Sequence, residues 1–298
     1  MRLSVGPEKQ KTLSKEISFK GVGLHTGSKS TITFKPAPAD HGVVFIRTDL
    51  SGRPAMPANH RYVCGVVRGT TLSVDGERNS EARIHTVEHV LSALAGLGVD
   101  NAVVEADANE PPVADGGAGP FVEAILKAGL TECDAPRRYF QPDRMEYTVG
   151  ETGTRYLVEP ADDFILDVTI DFKHPLIGRQ NRVFVVTPEA YRDEIGRART
   201  FCFDYEVEAL KSQGLAKGGT LDNALVVGAD RIHNSENGLR YPDEFVRHKA
   251  LDLIGDLALL GVALKAKVTA SRVGHGYNVN LVKQLAAQLD ALRASAPA

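Results

Sequence analysis

The chain has 298 residues, 43% hydrophobic and 24% charged, with a formal net charge of −3. That length suffices for two domains of ordinary size, each with its own core. The charge balance excludes the basic excess of a nucleic-acid binder and the acidic run of a disordered tail.

Three cysteines, Cys64, Cys133 and Cys202, stand apart with no CxxC spacing, which favours a reducing compartment. The N-terminal segment is charged throughout, and no stretch reaches the roughly 18 apolar residues of a membrane span. These features predict a cytoplasmic protein without stable membrane insertion.

The first part reads as strand-rich. Residues 16–19 (EISF), 30–34 (STITF) and 42–47 (GVVFIR) alternate or run in β-branched residues between Gly, Pro and Asp turns. GVGLHTG, residues 21–27, lies between the first two, and His25 reads there as a turn residue. Short extended pieces at 63–67 and 70–74 precede IHTVEHVLSALAGLG (84–98), where Val87, Val90, Leu91 and Leu94 recur at helical spacing and Gly96 and Gly98 end the run. Thr86 is the expected N-cap, which puts Glu88 and His89 in the first turn. The positive end of the helix dipole there disfavours imidazolium, keeping His89 in its metal-binding form and Glu88 ionised. A strand at 100–106 and a helix at 120–127 follow. The Gly-rich 115–120 loop lacks the Lys of a phosphate loop and reads as structural. Residues 133–142 have a linker's composition, which predicts a first domain over 1–134 and a second over 135–298.

The second half repeats the theme. Strands are expected at 145–149, 155–158, 164–170 and 182–186, a helix at 188–196 leading into RARTF (197–201), a helix at 205–214 and a strand at 221–228. Then comes DEFVRHKALDLIGDLALL, residues 243–260, begun by Pro242 and two acids and ended by Gly261. On it His248, Asp252 and Asp256 recur every four residues, so they share one stripe of an otherwise apolar helix. Such groups are retained in apolar surroundings when they have partners. A strand at 262–270, the glycine-flanked loop VGHGYN (273–278) and a helix at 281–295 complete the chain. Each half thus has a His-bearing helix, a Gly-Val junction (Gly98-Val99, Gly261-Val262) and a strand, the pattern of a duplicated α+β unit with a helical layer on a sheet.

Catalytic zinc typically takes three protein ligands and leaves one position open. His89, His248 and Asp252 supply such a set, between the domains, where substrate clefts are common. Glu88 would take the proton of the metal-bound water as general base. His275 would protonate the leaving amine as general acid, with Asp256 raising its pKa. Lys249 and Thr200 are candidate donors to the oxygen that becomes negative. Two rivals stand beside this reading. His85, Glu88 and His89 form H-x-x-E-H, the inverted zincin pattern of a metallopeptidase, although a Thr86 cap leaves His85 outside the helix. The other rival is a non-enzymatic α+β protein whose buried polar groups pair among themselves.

HTVEHVLSALAGLGVDN, RARTF, EFVRHKALDLIGDL and GHGYN, with GVGLHTG near the start, resemble in kind and order the UDP-3-O-acyl-N-acetylglucosamine deacetylases of lipid A (lipopolysaccharide) biosynthesis in Gram-negative bacteria. The resemblance covers nearly the whole chain. It implies two similar α+β domains, each with two helices on a five-stranded sheet and a small insert, and an active site between them. It implies zinc-dependent hydrolysis of the 2-acetamido group of a UDP-linked 3-O-acyl glucosamine, releasing acetate. The ligands would be His89, His248 and Asp252, with Fe(II) an alternative to Zn(II). Glu88 would be the base, His275 the acid with Asp256 as its partner, Thr200 a donor near the metal, and Phe201 and Lys249 substrate contacts. The second insert would span about 203–233, its Val207, Leu210, Leu215, Leu221 and Val226 lining a passage for the fatty acyl chain or forming a small local core. Where some members carry a cysteine before the first helix, Thr71-Leu72-Ser73 stands here, so a second, inhibitory zinc is not expected. The implied protein is a monomer acting on a small molecule, with no nucleic-acid partner. The terminal APA should fray.

Overall fold

A computed structural model describes residues 1–234, 236 and 238–295; the terminal APA lies outside them. After a long strand, β1 (Arg2–Leu13), the first half lays down β2 (Ile17–Val22), β3 (Lys29–Pro36), β4 (Val43–Arg47) and β5 (Ala55–Pro57). A three-stranded insert follows, β6 (Val63–Gly65), β7 (Thr71–Ser73) and β8 (Arg83–Ile84). Then come α1 (Glu88–Gly96), β9 (Ala102–Ala106) and α2 (Gly119–Ala128). The strand β10 (Leu130–Gln141) leads to the second half, with β11 (Met145–Val149), β12 (Thr154–Pro160), β13 (Ile165–Asp171) and β14 (Arg179–Val185). After α3 (Pro188–Ala190) and a π-turn over Tyr191–Ile195 come an insert of β15 (Phe201–Phe203), α4 (Asp204–Ser212), β16 (Leu225–Val227) and β17 (Ile232–His233). The chain closes with α5 (Glu244–Leu257), β18 (Ala263–Leu264), β19 (Ala266–Ser271) and α6 (His275–Ser295).

The two halves share one topology. The first sheet runs β2-β3-β9-β4-β5 and the second β11-β12-β19-β13-β14. In each, one parallel pair, β4 with β9 and β13 with β19, sits among antiparallel neighbours. Alternation makes each sheet one-sided: Ile32 and Phe34 of β3, and Leu166, Val168 and Ile170 of β13, point inward while their neighbours are more exposed. The helices cover those inner faces, and α1 packs directly on α5. A continuous core of Val90, Leu94, Phe121, Phe245, Leu251 and Leu285 joins the halves.

Several predicted boundaries move. The expected linker over residues 133–142 is mostly β10, which pairs antiparallel with β1 and briefly parallel with β18. Both β1 and β10 are largely solvent-facing, so their pairing is one of backbones far apart in sequence and leaves little apolar pattern to read. Thr86 is not a cap: its φ is 54°, its hydroxyl donates to Glu110, and α1 begins at Glu88 after Val87 with no side-chain cap. The strand expected at 221–228 shrinks to β16, and that at 262–270 divides at Lys265 into β18 and β19. His275 opens α6 rather than lying on a loop. Among the described residues no helix is long and apolar enough to cross a membrane.

The packing of α1 against α5 and against the π-turn depends on residues without bulk. A Cβ on Gly255 would lie 2.1 Å from the Glu88 carbonyl oxygen, and one on Gly96 would lie 2.2 Å from the Tyr191 ring. Ser92 fills the seam by donating its hydroxyl to the Leu251 carbonyl (2.8 Å) and accepting from Tyr191 (2.8 Å). In an ordinary helix interior Gly→Ala gains about 1 kcal/mol. Here Gly255→Ala should instead lower stability by about 1–3 kcal/mol through overpacking, read as a lower urea midpoint with unchanged m-value; a midpoint at or above wild type would contradict the seam.

Candidate metal centre and adjoining acid–base pair

The seam brings one residue of α1 against two of α5. His89, Asp252 and His248 each present a ligand atom, all within 4.8 Å of one another. Asp252 Oδ1 lies 3.3 Å from His248 Nε2 and 3.7 Å from His89 Nε2. All three residues are buried. His248 donates its Nδ1–H to the Ala198 carbonyl (3.0 Å), which leaves Nε2 unprotonated and facing the carboxylate. Burial holds both imidazoles neutral, pushing His248 down to about 3 and His89 below its ordinary value. Burial works against the Asp252 carboxylate, but the positive charges beside it, the Lys249 ammonium at 2.8 Å and the His275 imidazolium, more than offset it and hold that carboxyl below the usual range. One atom stays unaccounted for: Asp252 Oδ1 is buried without a hydrogen-bond partner. An orphaned carboxylate oxygen is costly; set among two imidazole lone pairs, it suits a divalent cation taking N and O ligands. The three residues therefore fit a metal.

Beside them stand Glu88, from the start of α1, and His275, from the start of α6. Glu88 Oε1 and His275 Nε2 are 3.6 Å apart, and His275 donates Nδ1–H to Asp256 Oδ2 at 2.8 Å. Burial disfavours imidazolium, yet the Asp256 and Glu88 carboxylates outweigh it and push His275 up to about 10. Glu88 departs from expectation. Burial, with the like charges of Asp256 and Asp252, pushes its carboxyl up to about 7 despite the opposing influence of His275; a helix N-terminus, worth about 0.3–1 kcal/mol, does not prevail over full desolvation.

The remaining predicted residues lie at the rim. Lys249 Nζ sits 5.5 Å from the Phe201 ring centroid as well as on Asp252, and Phe201 packs edge-on to Phe245 at 4.9 Å. Thr200 is half-buried, its backbone bonded to Gly116 and Leu225. His85 stays outside both the helix and the ligand cluster, its Nδ1 within 3.0 Å of the Thr71 hydroxyl. The insert residues do not form one wall. Leu215 lines a cleft of about 340 Å³ with His25, Val67, Thr71 and His85, whereas Leu210 is buried and Leu221 is 46% exposed. A larger cleft of about 630 Å³ lies at the far end of α1 beside Gly98, Arg137 and Gly261, and holds none of the predicted site residues.

Sequence reading missed the groups that hold these residues in place. Arg199, 1% exposed, and Glu244, fully buried, pair through Nε (2.8 Å) and Nη2 (3.0 Å), and the Arg199 backbone N–H also donates to Glu244 (2.9 Å). This clamp ties the Ala198 carbonyl, the partner of His248, to the first turn of α5. Glu110, also fully buried, accepts from the backbone N–H groups of His25 and Thr26 and from the hydroxyls of Thr26 and Thr86. Arg199 and Glu110 lie in stretches without a periodic signal, and Glu244, in the acidic first turn of α5, reads in the sequence only as a helix start. Glu244→Ala should cost about 3–5 kcal/mol by stranding a buried guanidinium, whereas Glu236→Ala, which removes a half-exposed partner of Arg199, should cost about 1 kcal/mol or less. Equal urea midpoints for the two variants would refute that ranking.

Comparison with known proteins bears on the whole chain. A deacetylase of Hahella chejuensis, described as UDP-3-O-acyl-N-acetylglucosamine deacetylase, is 47% identical over 285 residues, covering 95% of this chain and 92% of that protein. A protein of the same description from an Anaeromyxobacter species is 46% identical over 279 residues, covering 93% and 88%. The bifunctional enzyme LpxC/FabZ of Chlorobaculum tepidum is 42% identical over 302 residues, covering 93% of this chain and 64% of its own length. The family model of UDP-3-O-acyl N-acetylglycosamine deacetylases matches residues 10–287, a span that contains α1, α5 and the start of α6, and the chain belongs to that family.

Proposed function

We propose that this chain hydrolyses the 2-acetamido group of UDP-3-O-acyl-N-acetylglucosamine, releasing acetate and the free amine, the committed step of lipid A biosynthesis. The observation that carries the reading is the orphaned Asp252 Oδ1 between two neutral imidazoles, with a carboxyl and an imidazolium alongside. Family membership supplies the substrate class. His89, His248 and Asp252 would hold the ion, Zn(II) or Fe(II) according to availability. Bound there, the metal supplies Lewis-acid chemistry toward an amide carbonyl and acidifies water.

The chain's own groups divide the proton traffic. Glu88, with a pKa near working pH, accepts the proton of the attacking water. His275, protonated at neutrality, donates from Nε2 to the departing nitrogen, since its Nδ1–H is committed to Asp256. Lys249 and the Thr200 hydroxyl stand as donors to the oxygen that gains charge, and Phe201 as an apolar wall for the sugar. A monomer working in the cytoplasm on a small molecule, with no nucleic-acid partner, completes the reading; the three free cysteines are compatible with it. We also propose the division into domains near residues 134 and 135, on the strength of the repeated topology.

Metal content and acetate release measured together test this. Wild type and His85→Ala should carry one equivalent of metal and be active; His248→Ala should lose most of both, and His275→Ala should keep the metal while kcat falls about 10²–10⁴-fold. Metal retained by His248→Ala but lost from His85→Ala would sink the reading. The pH profile follows from the two raised groups. Activity needs Glu88 ionised and so rises as pH climbs toward about 7. It needs His275 protonated and so falls as pH approaches about 10, with a bound cation drawing both limbs lower. Asp256→Asn should move the alkaline limb further down, because it removes the largest influence raising His275; an unmoved limb would contradict the assignment.

A further inference from the structure

Thr70 is fully buried in the turn before β7, and all of its polar groups are engaged. Its N–H donates to Glu88 Oε2 (2.9 Å), its carbonyl accepts from Val87 N–H (3.1 Å), and its hydroxyl donates to Asp256 Oδ1 (2.6 Å). The turn lies directly on the Glu88 carboxylate: a Cβ on the preceding Gly69 would be 3.0 Å from Glu88 Oε1. Asp256 is equally committed on its other oxygen, which accepts from His275 Nδ1 and from Asn278 Nδ2, each at 2.8 Å. Asn278 is held in turn by the hydroxyl of Tyr156. His275, Asn278 and Tyr156 all belong to the second half, and Thr70 alone reaches this carboxylate from the first.

Resting on the deacetylase reading above, we propose that Thr70 is a positioning residue that fixes the base Glu88 and the carboxylate behind the acid His275 in one register across the two halves. A carboxylate accepts only, so the hydroxyl proton must point at Asp256. Without that donor, Oδ1 is left unsatisfied in a buried site and the carboxyl plane can turn, carrying the imidazole it orients out of line. A small misplacement of a proton donor costs rate more than binding. Thr70 touches neither a candidate metal ligand nor the rim residues Lys249 and Phe201 through any of these bonds, so it acts through Glu88 by its N–H and through Asp256 by its hydroxyl.

Acetate release from the UDP-linked acyl-glucosamine, metal content and thermal midpoint would be measured for wild type, Thr70→Val, Thr70→Ser, Asp256→Asn and the Thr70→Val/Asp256→Asn double variant. Thr70→Val keeps the shape and the backbone N–H while removing the hydroxyl. It should lower kcat about 10- to 100-fold with KM and metal content nearly unchanged, and Thr70→Ser should recover most of that loss. On the Asp256→Asn background the valine should change kcat by less than about twofold, since the two residues act as a unit. A Thr70→Val enzyme as fast as wild type, an equal loss in Thr70→Ser, or the full loss repeated on Asp256→Asn would each overturn the proposal. Should the valine variant not fold, Thr70→Ala carries the same comparison. A wild type that holds metal but releases no acetate would instead sink the deacetylase reading, and this proposal with it.

Discussion

The close crossing of α1 and α5 is the constraint on which the rest depends. Where Gly255 meets the Glu88 carbonyl, the two backbones touch without side chains between them, and the residues on either side are carried to within bonding reach of each other. His89 and Glu88 enter from one helix, His248, Asp252 and Asp256 from the other, and all five are buried. A wider crossing would leave the same groups hydrated and at their ordinary pKa values. The seam is therefore also the origin of the electrostatics, because desolvation is the first cause of the shifts at Glu88, His89 and His248.

Gathering this many ionisable groups in one dry place is tolerable because nearly every one of them is paired. Asp256 has three donors, Glu88 has the Thr70 N–H, and Asp252 has Lys249 on one oxygen. The opposing effects at His275 are resolved by proximity. It begins α6, where a helix N-terminus disfavours a positive ring by about 0.3–1 kcal/mol, and burial disfavours it further. Two carboxylates, one at 2.8 Å and one at 3.6 Å, nonetheless hold it protonated. Glu88 and His275 are thus pushed toward each other's roles, the carboxyl up and the imidazole up, so that near neutrality one can accept a proton while the other still holds one. Asp252 Oδ1, buried without a hydrogen-bond partner, is the oxygen that faces both His89 and His248.

What could be read in the sequence was whatever repeats along a single element. His248, Asp252 and Asp256 announce themselves at four-residue spacing, and the α5 they share runs close to its predicted limits. The strands of both sheets are legible from alternation, as in β3 and β13. Contacts between distant segments carry no such mark. The pairing of β1 with β10 spans more than a hundred residues and uses mostly backbone, so a strand passed for a linker. Gly274 and Gly276 made His275 look like a loop residue, although the helix starts on it. Thr86 is a good cap by type, yet it is drawn to Glu110 and held at positive φ, which ends its use as a cap. The Arg199–Glu244 clamp joins an irregular stretch to the first turn of α5, and the Thr70 turn joins one half to the other, so both become visible only when segments distant in sequence are brought together.

Two copies of one topology need not contribute alike, and the helix that follows the central strand in each half shows why. In the second half α6 begins on His275, whose side chain faces Glu88. In the first half the equivalent α2 begins on Gly119, and the turn before it holds Gly116 and Gly117. A Cβ on Gly116 would meet the Asn223 carbonyl oxygen at 2.2 Å, and one on Gly117 the carbonyl oxygens of Ala198 and Gly196 at 3.0 Å. The missing side chains let that turn lie flat on the stretch that supplies the partner of His248, fixed by Thr200 N–H on the Gly116 carbonyl and Ala118 N–H on the Gly196 carbonyl, each at 2.7–2.8 Å. The same position in the fold thus supplies an imidazole in one half and a bare backbone in the other. The second use supports the first: the turn of the first half holds Ala198, Ala198 orients His248, and His248 stands over the carboxylate that completes the site.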